Sequence, residues 1–166
     1  MRLEIHYAIG KTVCNEMKDQ GLRINERLFL LGNVFPDLVQ SYIWRRHEYQ
    51  HSRNYIKRKM DMLKKRPMLF SFHLGVLTHY ICDYFCYPHS AIFDKGFMQH
   101  VIYELKQKIP SRTYKTVLDI RSFSIEELDR FVSWYESIRD SFDDDSDFHI
   151  ASSVASNFMY SIQTAY

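Results

Sequence analysis

Glycine and proline are scarce in this chain, with 5 and 4 residues among 166. A sandwich or barrel needs more turn material, so helices are favoured. Three cysteines, an odd number, do not make a disulfide framework. Cys82 and Cys86 stand one helical turn apart but lack a second pair to form a metal site, and read as small buried hydrophobes. A net charge of +2 is too small to argue for nucleic acid or bulk attraction to anionic lipid. No apolar run crosses a membrane, because the most apolar stretch carries His73, His79 and Asp83 within it. Met1-Arg2-Leu3-Glu4-Ile5-His6 has no apolar core and no small-residue cleavage site, so no signal peptide is expected and the cytoplasm is the expected location. Repeats and low-complexity linkers are absent too.

Aromatic residues, by contrast, are plentiful, with 12 Tyr and 12 Phe, as thick helix contacts or an aromatic-lined cleft would require. Residues 1–166 are long enough for one domain with a sizeable core. Residues 5–19 read as a first helix ended by Gly21. Asn25 suits the N-cap of a second helix that stops near Gly32. Gly32 to Asp37 then reads as a loop, with Pro36 keeping Phe35 out of the helical region. A basic helix is expected over 48–65, its charges reading as a solvated face. Pro67 suits the first turn of a helix over 67–87, which is apolar nearly all round and therefore central and buried. Residues 96–109 form another helix ended by Pro110. Ser124 and Glu127 make a capping box opening a helix to about 142, and a last helix covers 148–164. The expected fold is all-α, a single compact multi-helix bundle around one buried helix.

Inside the apolar 67–87 stretch, His79 and Asp83 lie one turn apart on one face, and His89 follows just past Pro88. A buried carboxylate and imidazole are costly unless paired or bound to a cation, and a metal ion is the favoured compensation. His100 and Glu104 repeat the i, i+4 arrangement on the next helix. Mixed nitrogen and oxygen ligands suit zinc first, with manganese or iron as competitors. Asp37, His51 and His6 are candidates to complete the set. Taken singly, each has a plain reading: a helix-surface pair, an Asx-turn residue, a surface histidine. The conjunction of five of the eight histidines with three acids points to a metal centre. His73 is turned off the His79 face and reads as pocket wall or solvent, as do His47 and His149, although His47 is one turn before His51 and could substitute for it.

The order Asp37 after Gly-x3-Pro, then His51, then His79-x3-Asp83-x5-His89, then His100-x3-Glu104 resembles the bacterial zinc-dependent phospholipase C family. That family includes the N-terminal domain of glycosylphosphatidylinositol-specific phospholipase D and is related in fold to fungal zinc nucleases. The resemblance covers about residues 5–105, and no motif is matched in the C-terminal third. It implies two or three zinc ions in an all-helical domain. Asp37, His51, His79 and Asp83 would hold one, and His89, His100 and Glu104 a second. Asp83 would reach toward a third, held by His6 and, in secreted members, by a processed N-terminal amine.

Such a cluster suits phosphoester hydrolysis, with a metal-bound water as nucleophile and Asp37 as its orienter or general base. The expected activity is cleavage of a phospholipid phosphodiester, with possible peripheral membrane contact and no obligate protein partner. A zinc nuclease or small phosphodiesterase is the alternative, as is a non-catalytic metal-stabilised helical domain. Two other helical metalloenzyme classes do not fit. The chain has no consecutive His-Asp, and its paired ligands are spaced i, i+4 with histidine first, unlike the Glu-x-x-His of di-iron bundles.

Overall fold

The computed structural model describes residues 1–21, 23–39, 48–65, 67–109, 124–139 and 146–164. Among them lie seven α-helices and no strand. They are α1 (Leu3–Asp19), α2 (Glu26–Leu38), α3 (Tyr49–Lys64), α4 (Phe70–Tyr84), α5 (Phe97–Lys106), α6 (Ile125–Ile138) and α7 (Ser146–Thr164), with a 3₁₀ turn at Tyr87–His89 between α4 and α5. The all-helical architecture is the one that the shortage of turn residues favours.

Helix α4 is the axis of the molecule. Every residue from Leu74 to Tyr84 is buried, and α1, α2, α3 and α7 all pack against it. Only a helix apolar around its whole circumference can lose solvent on every side. The outer helices bury single stripes. On α1, Ile5, Ile9, Val13 and Met17 recur at i, i+4 and face inward.

The main departure from the sequence reading is α2. It does not stop at Gly32 but continues through Pro36 to Leu38. Asn25 caps its start by accepting a hydrogen bond from the Leu28 N–H at 3.1 Å. Gly32 is a point of close approach rather than a stop, because a Cβ there would strike the Phe72 carbonyl of α4. Gly75 of α4 is the reciprocal case, its absent Cβ leaving space for the Phe29 carbonyl of α2. Two helices meeting backbone to backbone bury Gly32, Asn33 and Pro36 together. That packing outweighs the one backbone hydrogen bond that proline removes near the helix end.

Other boundaries shift less. Pro67 lies upstream of α4, whose N-cap is Leu69 in a left-handed conformation at φ 61°. The 67–87 stretch therefore divides into α4 and the turn that carries His89. Helix α5 ends at Lys106, before Pro110. Ser124 caps α6 as expected, accepting from the Glu127 N–H at 3.2 Å. Pro110, His47 and the α6 end expected near residue 142 lie outside the described residues.

The close α2–α4 contact is testable. Gly75→Ala should cost ~1–3 kcal/mol by overpacking, seen as a lower midpoint in thermal unfolding. An unchanged midpoint would show that the two backbones are not in contact.

Candidate metal centre

The site is built where α4, α2, the N-terminal end of α1, the 3₁₀ turn and α5 converge. On α4, His79 and Asp83 fall on one face as their spacing requires, with His79 Nε2 at 3.2 Å from Asp83 Oδ2. The last turn of α2 brings Asp37 over the same ring, its Oδ1 at 3.6 Å from His79 Nε2. From α1, His6 stacks on His79, with ring centroids 3.9 Å apart and planes 24° from parallel. His6 Nε2 lies 3.1 Å from Asp83 Oδ1 and 3.9 Å from Asp37 Oδ2. Ligand atoms of His6, Asp37 and His79 all fall within 4.8 Å of one another.

A second group forms across the cleft. His100 and Glu104 of α5 pair at 3.1 Å, and His89 on the turn reaches Glu104 Oε1 at 3.3 Å. These three also lie within 4.8 Å of one another. Asp83 stands between the groups, with Oδ1 3.8 Å from His89 Nε2. The amine of Met1 completes the ring. It donates to Asp83 Oδ1 at 3.1 Å and to His89 Nε2 at 2.8 Å, and it pairs with Glu104 at 2.8 Å.

Seven of the eight expected ligands are thus brought together. His51 is the exception, and it belongs to neither group. Its side chain is 46% exposed and its Nδ1 pairs with Glu48 at 2.8 Å, one turn earlier in α3. His6 and the Met1 amine both approach Asp83 Oδ1, each at 3.1 Å, and His6 in addition shares a group with Asp37 and His79, because α1 lays its ring flat on that of His79. His73 contacts Lys59 through Nδ1 at 3.4 Å, away from the cluster.

Asn33 escaped the sequence reading. Its side-chain amide donates to the His6 carbonyl at 2.5 Å, and its own carbonyl accepts from His79 Nδ1 at 2.9 Å. With Nδ1 held by that carbonyl, Nε2 is the His79 nitrogen that faces the carboxylates. The available signal was position, since Asn33 is one turn before Asp37 on the same helix face.

The electrostatics describe a charge-dense, dry centre. Burial alone would raise the Asp83 pKa, but the Met1 ammonium, then His89, His6 and His79, hold it well below the ordinary carboxylate range. Burial opposes the ionised Glu104 too, and His100, His89 and the ammonium again hold its pKa down. Burial, reinforced by repulsion from His79, pushes His6 down to about 3. The same effect lowers His89, with the ammonium next in weight. Despite its burial the Met1 amine is raised to about 12, chiefly by Asp83.

Imidazole ring nitrogens directed at carboxylates form a donor set for a divalent cation. The sharpest sign is His6, a fully buried ring neither of whose nitrogens has a geometrically sound hydrogen bond. Buried polar atoms are rarely left so, and coordination of Nε2 is a fitting use. The residues present therefore fit zinc. A family model described as zinc dependent phospholipase C matches residues 5–154, reaching past the motif-bearing residues into α7. No curated protein and no solved structure matches the chain.

The depressed histidine pKa values make metal-free stability depend on pH. His6 stays neutral in the fold down to about 3, whereas in the unfolded chain it takes up a proton near its ordinary 6.5. The unfolded state therefore binds more protons between those limits, so stability is complete above 6.5 and falls as the pH drops. Urea unfolding of the metal-free protein at pH 7 and pH 5 should show the loss. His6→Gln should flatten the slope, and an equal slope in that variant would refute the assignment.

Proposed function

The chain belongs to the zinc-dependent phospholipase C family, and on that premise we propose that it is a zinc-dependent phosphodiesterase whose substrate is a phospholipid. The observation that carries this is the pair of ligand groups bridged by one buried carboxylate, Asp83. Two or three ions are proposed, one at His6, Asp37, His79 and Asp83, another at His89, His100 and Glu104, and a third only where the Met1 amine also serves as a ligand. Zinc bound there supplies a Lewis acid for the phosphoryl oxygens and an acidified water as nucleophile.

The protein's own groups divide the work by exposure. The side chain of Asp37 is 25% exposed and that of Asp83 1%. Asp37 can therefore meet solvent, orient a water and accept its proton on a carboxylate oxygen. Asp83 is sealed and holds the two halves at fixed separation. Beside His100 a cleft of about 330 Å³ opens, bordered by Glu48, Gln50, Ser90 and Lys95. It has the size and polarity for a headgroup phosphate.

Helix α5 supports a lipid substrate from its other side. Opposite the ligands it exposes Met98, Ile102 and Leu105, which helical spacing puts on one face. Lys95, Lys106 and Lys108 lie beside them, the arrangement of an interfacial helix that touches a bilayer peripherally. A cytoplasmic location goes with the proposal, supported by Cys14, Cys82 and Cys86 as buried free thiols.

Three measurements test the proposal. Elemental analysis should give about two zinc ions per chain, and three would enlist the Met1 amine as a ligand. Asp37→Asn should lower kcat for phosphatidylcholine by about 10²–10⁴ even in protein saturated with zinc. Cleavage of single-stranded nucleic acid without headgroup release would transfer the activity to a nuclease. Bound zinc with no turnover of either would leave a metal-stabilised binding domain. Pairing Met98→Asp with Leu105→Asp should cut hydrolysis of vesicles several-fold and spare that of a soluble short-chain lipid. Equal loss on both substrates would remove α5 from the membrane.

A further inference from the structure

Helix α7 carries no ligand, yet one of its residues connects to both elements that hold the second group. Asp147 is fully buried, and its two oxygens serve different parts of the fold. Oδ2 accepts from the Tyr103 hydroxyl at 2.5 Å and from the Tyr87 backbone N–H at 2.8 Å. Oδ1 accepts from the Tyr135 hydroxyl at 2.7 Å and pairs with Arg139 Nε at 3.0 Å. Tyr87 opens the 3₁₀ turn that ends in His89, and Tyr103 immediately precedes Glu104 on α5. Tyr135 and Arg139 belong to α6 and its end, and neither adjoins a ligand in sequence.

We propose that Asp147 is a positioning residue for the His89, His100 and Glu104 half-site, tying the turn and α5 to one carboxylate so that their ligands meet at fixed separation. The assignment rests on these three residues being metal ligands. The need for such a tie follows from the fold. His89 sits on a three-residue turn and Glu104 on a ten-residue helix, elements too short to hold geometry by their own hydrogen bonds. Asp147 supplies a fixed anchor instead. Two donors on Oδ2 set the distance between Tyr87 and Tyr103, and their rings meet edge-on at 5.9 Å. Arg139 reinforces the same pair, donating to the Tyr103 hydroxyl at 2.9 Å and standing 4.7 Å over the Tyr87 ring. Groups one shell out from a metal commonly set ligand geometry, and their loss typically weakens affinity 10–100-fold.

The two tyrosines provide an internally controlled test. Tyr103→Phe and Tyr135→Phe each remove one hydroxyl from Asp147, but only the first releases a ligand-bearing element. The full chain is titrated with zinc, and the ring-nitrogen resonances of His89 and His100 are followed by NMR beside those of His6 and His79. Tyr103→Phe should weaken zinc binding at His89 and His100 about 10-fold, with His6 and His79 unaffected, and Tyr135→Phe should leave all four near wild type. Asp147→Asn should match or exceed the Tyr103→Phe loss, and if that variant does not fold the tyrosine pair decides alone. Equal shifts in both tyrosine variants, or uniform weakening at all four histidines, would reduce Asp147 to an ordinary core contact. Failure of zinc to move His89 and His100 in the wild-type protein would instead overturn the ligand assignment itself.

Discussion

A single carboxylate in the interior, Asp83, sets the terms for the rest of the molecule. With its side chain 1% exposed, its charge would be intolerable without compensation, since burying an unpaired ion costs several kcal/mol even after relaxation. His79 comes from the same helix, His6 from α1, His89 from the turn, and an ammonium from the chain terminus. Four separate pieces of backbone are thereby committed to one point. The buried α4, the close α2–α4 contact that carries Asp37 inward, and the flat stacking of His6 on His79 all serve that convergence.

The two ligand groups differ in how they are held. The one at His6, Asp37 and His79 is embedded in the thick part of the bundle, where backbones touch at Gly32 and Gly75 and Asn33 binds both histidine-bearing helices. The other is assembled from a short turn and a short helix at the edge, whose outer face is exposed and apolar. A polar network centred on Asp147 lies behind it, linking it to α6 and α7. Buried networks of this sort are satisfied at every member or they fail. The family match extends through this region to residue 154.

The chemistry that this arrangement suits is hydrolysis of a phosphodiester, in which clustered cations meet the charge that develops on several oxygens. Sealed and open carboxylates take different parts, as environment rather than residue type decides which can exchange protons with the cleft. Proximity of a ligand helix to an apolar outer face would let the same element face substrate on one side and bilayer on the other.

Local periodicity was legible from residues alone. The helical class, the buried character of α4, the Asn25 and Ser124 caps, and the two i, i+4 ligand pairs all depend on contacts within a few residues. What escaped was non-local. Gly32 and Pro36 carry the local chemistry of a helix end, and only the opposing face of α4 makes their continuation in α2 favourable. His51 is the local exception, with the order of a ligand but its Nδ1 paired to Glu48 one turn away. Asn33 and Asp147 bear no motif, because their roles come from partners distant in sequence, 27 positions for Asn33 with His6, and 44 and 60 for Asp147 with Tyr103 and Tyr87. The amino-acid order by itself determined which side chains could bind a cation and which helices would present them. Tertiary structure alone decided how they are grouped and which are sealed from water, because both follow from the close packing of distant backbones.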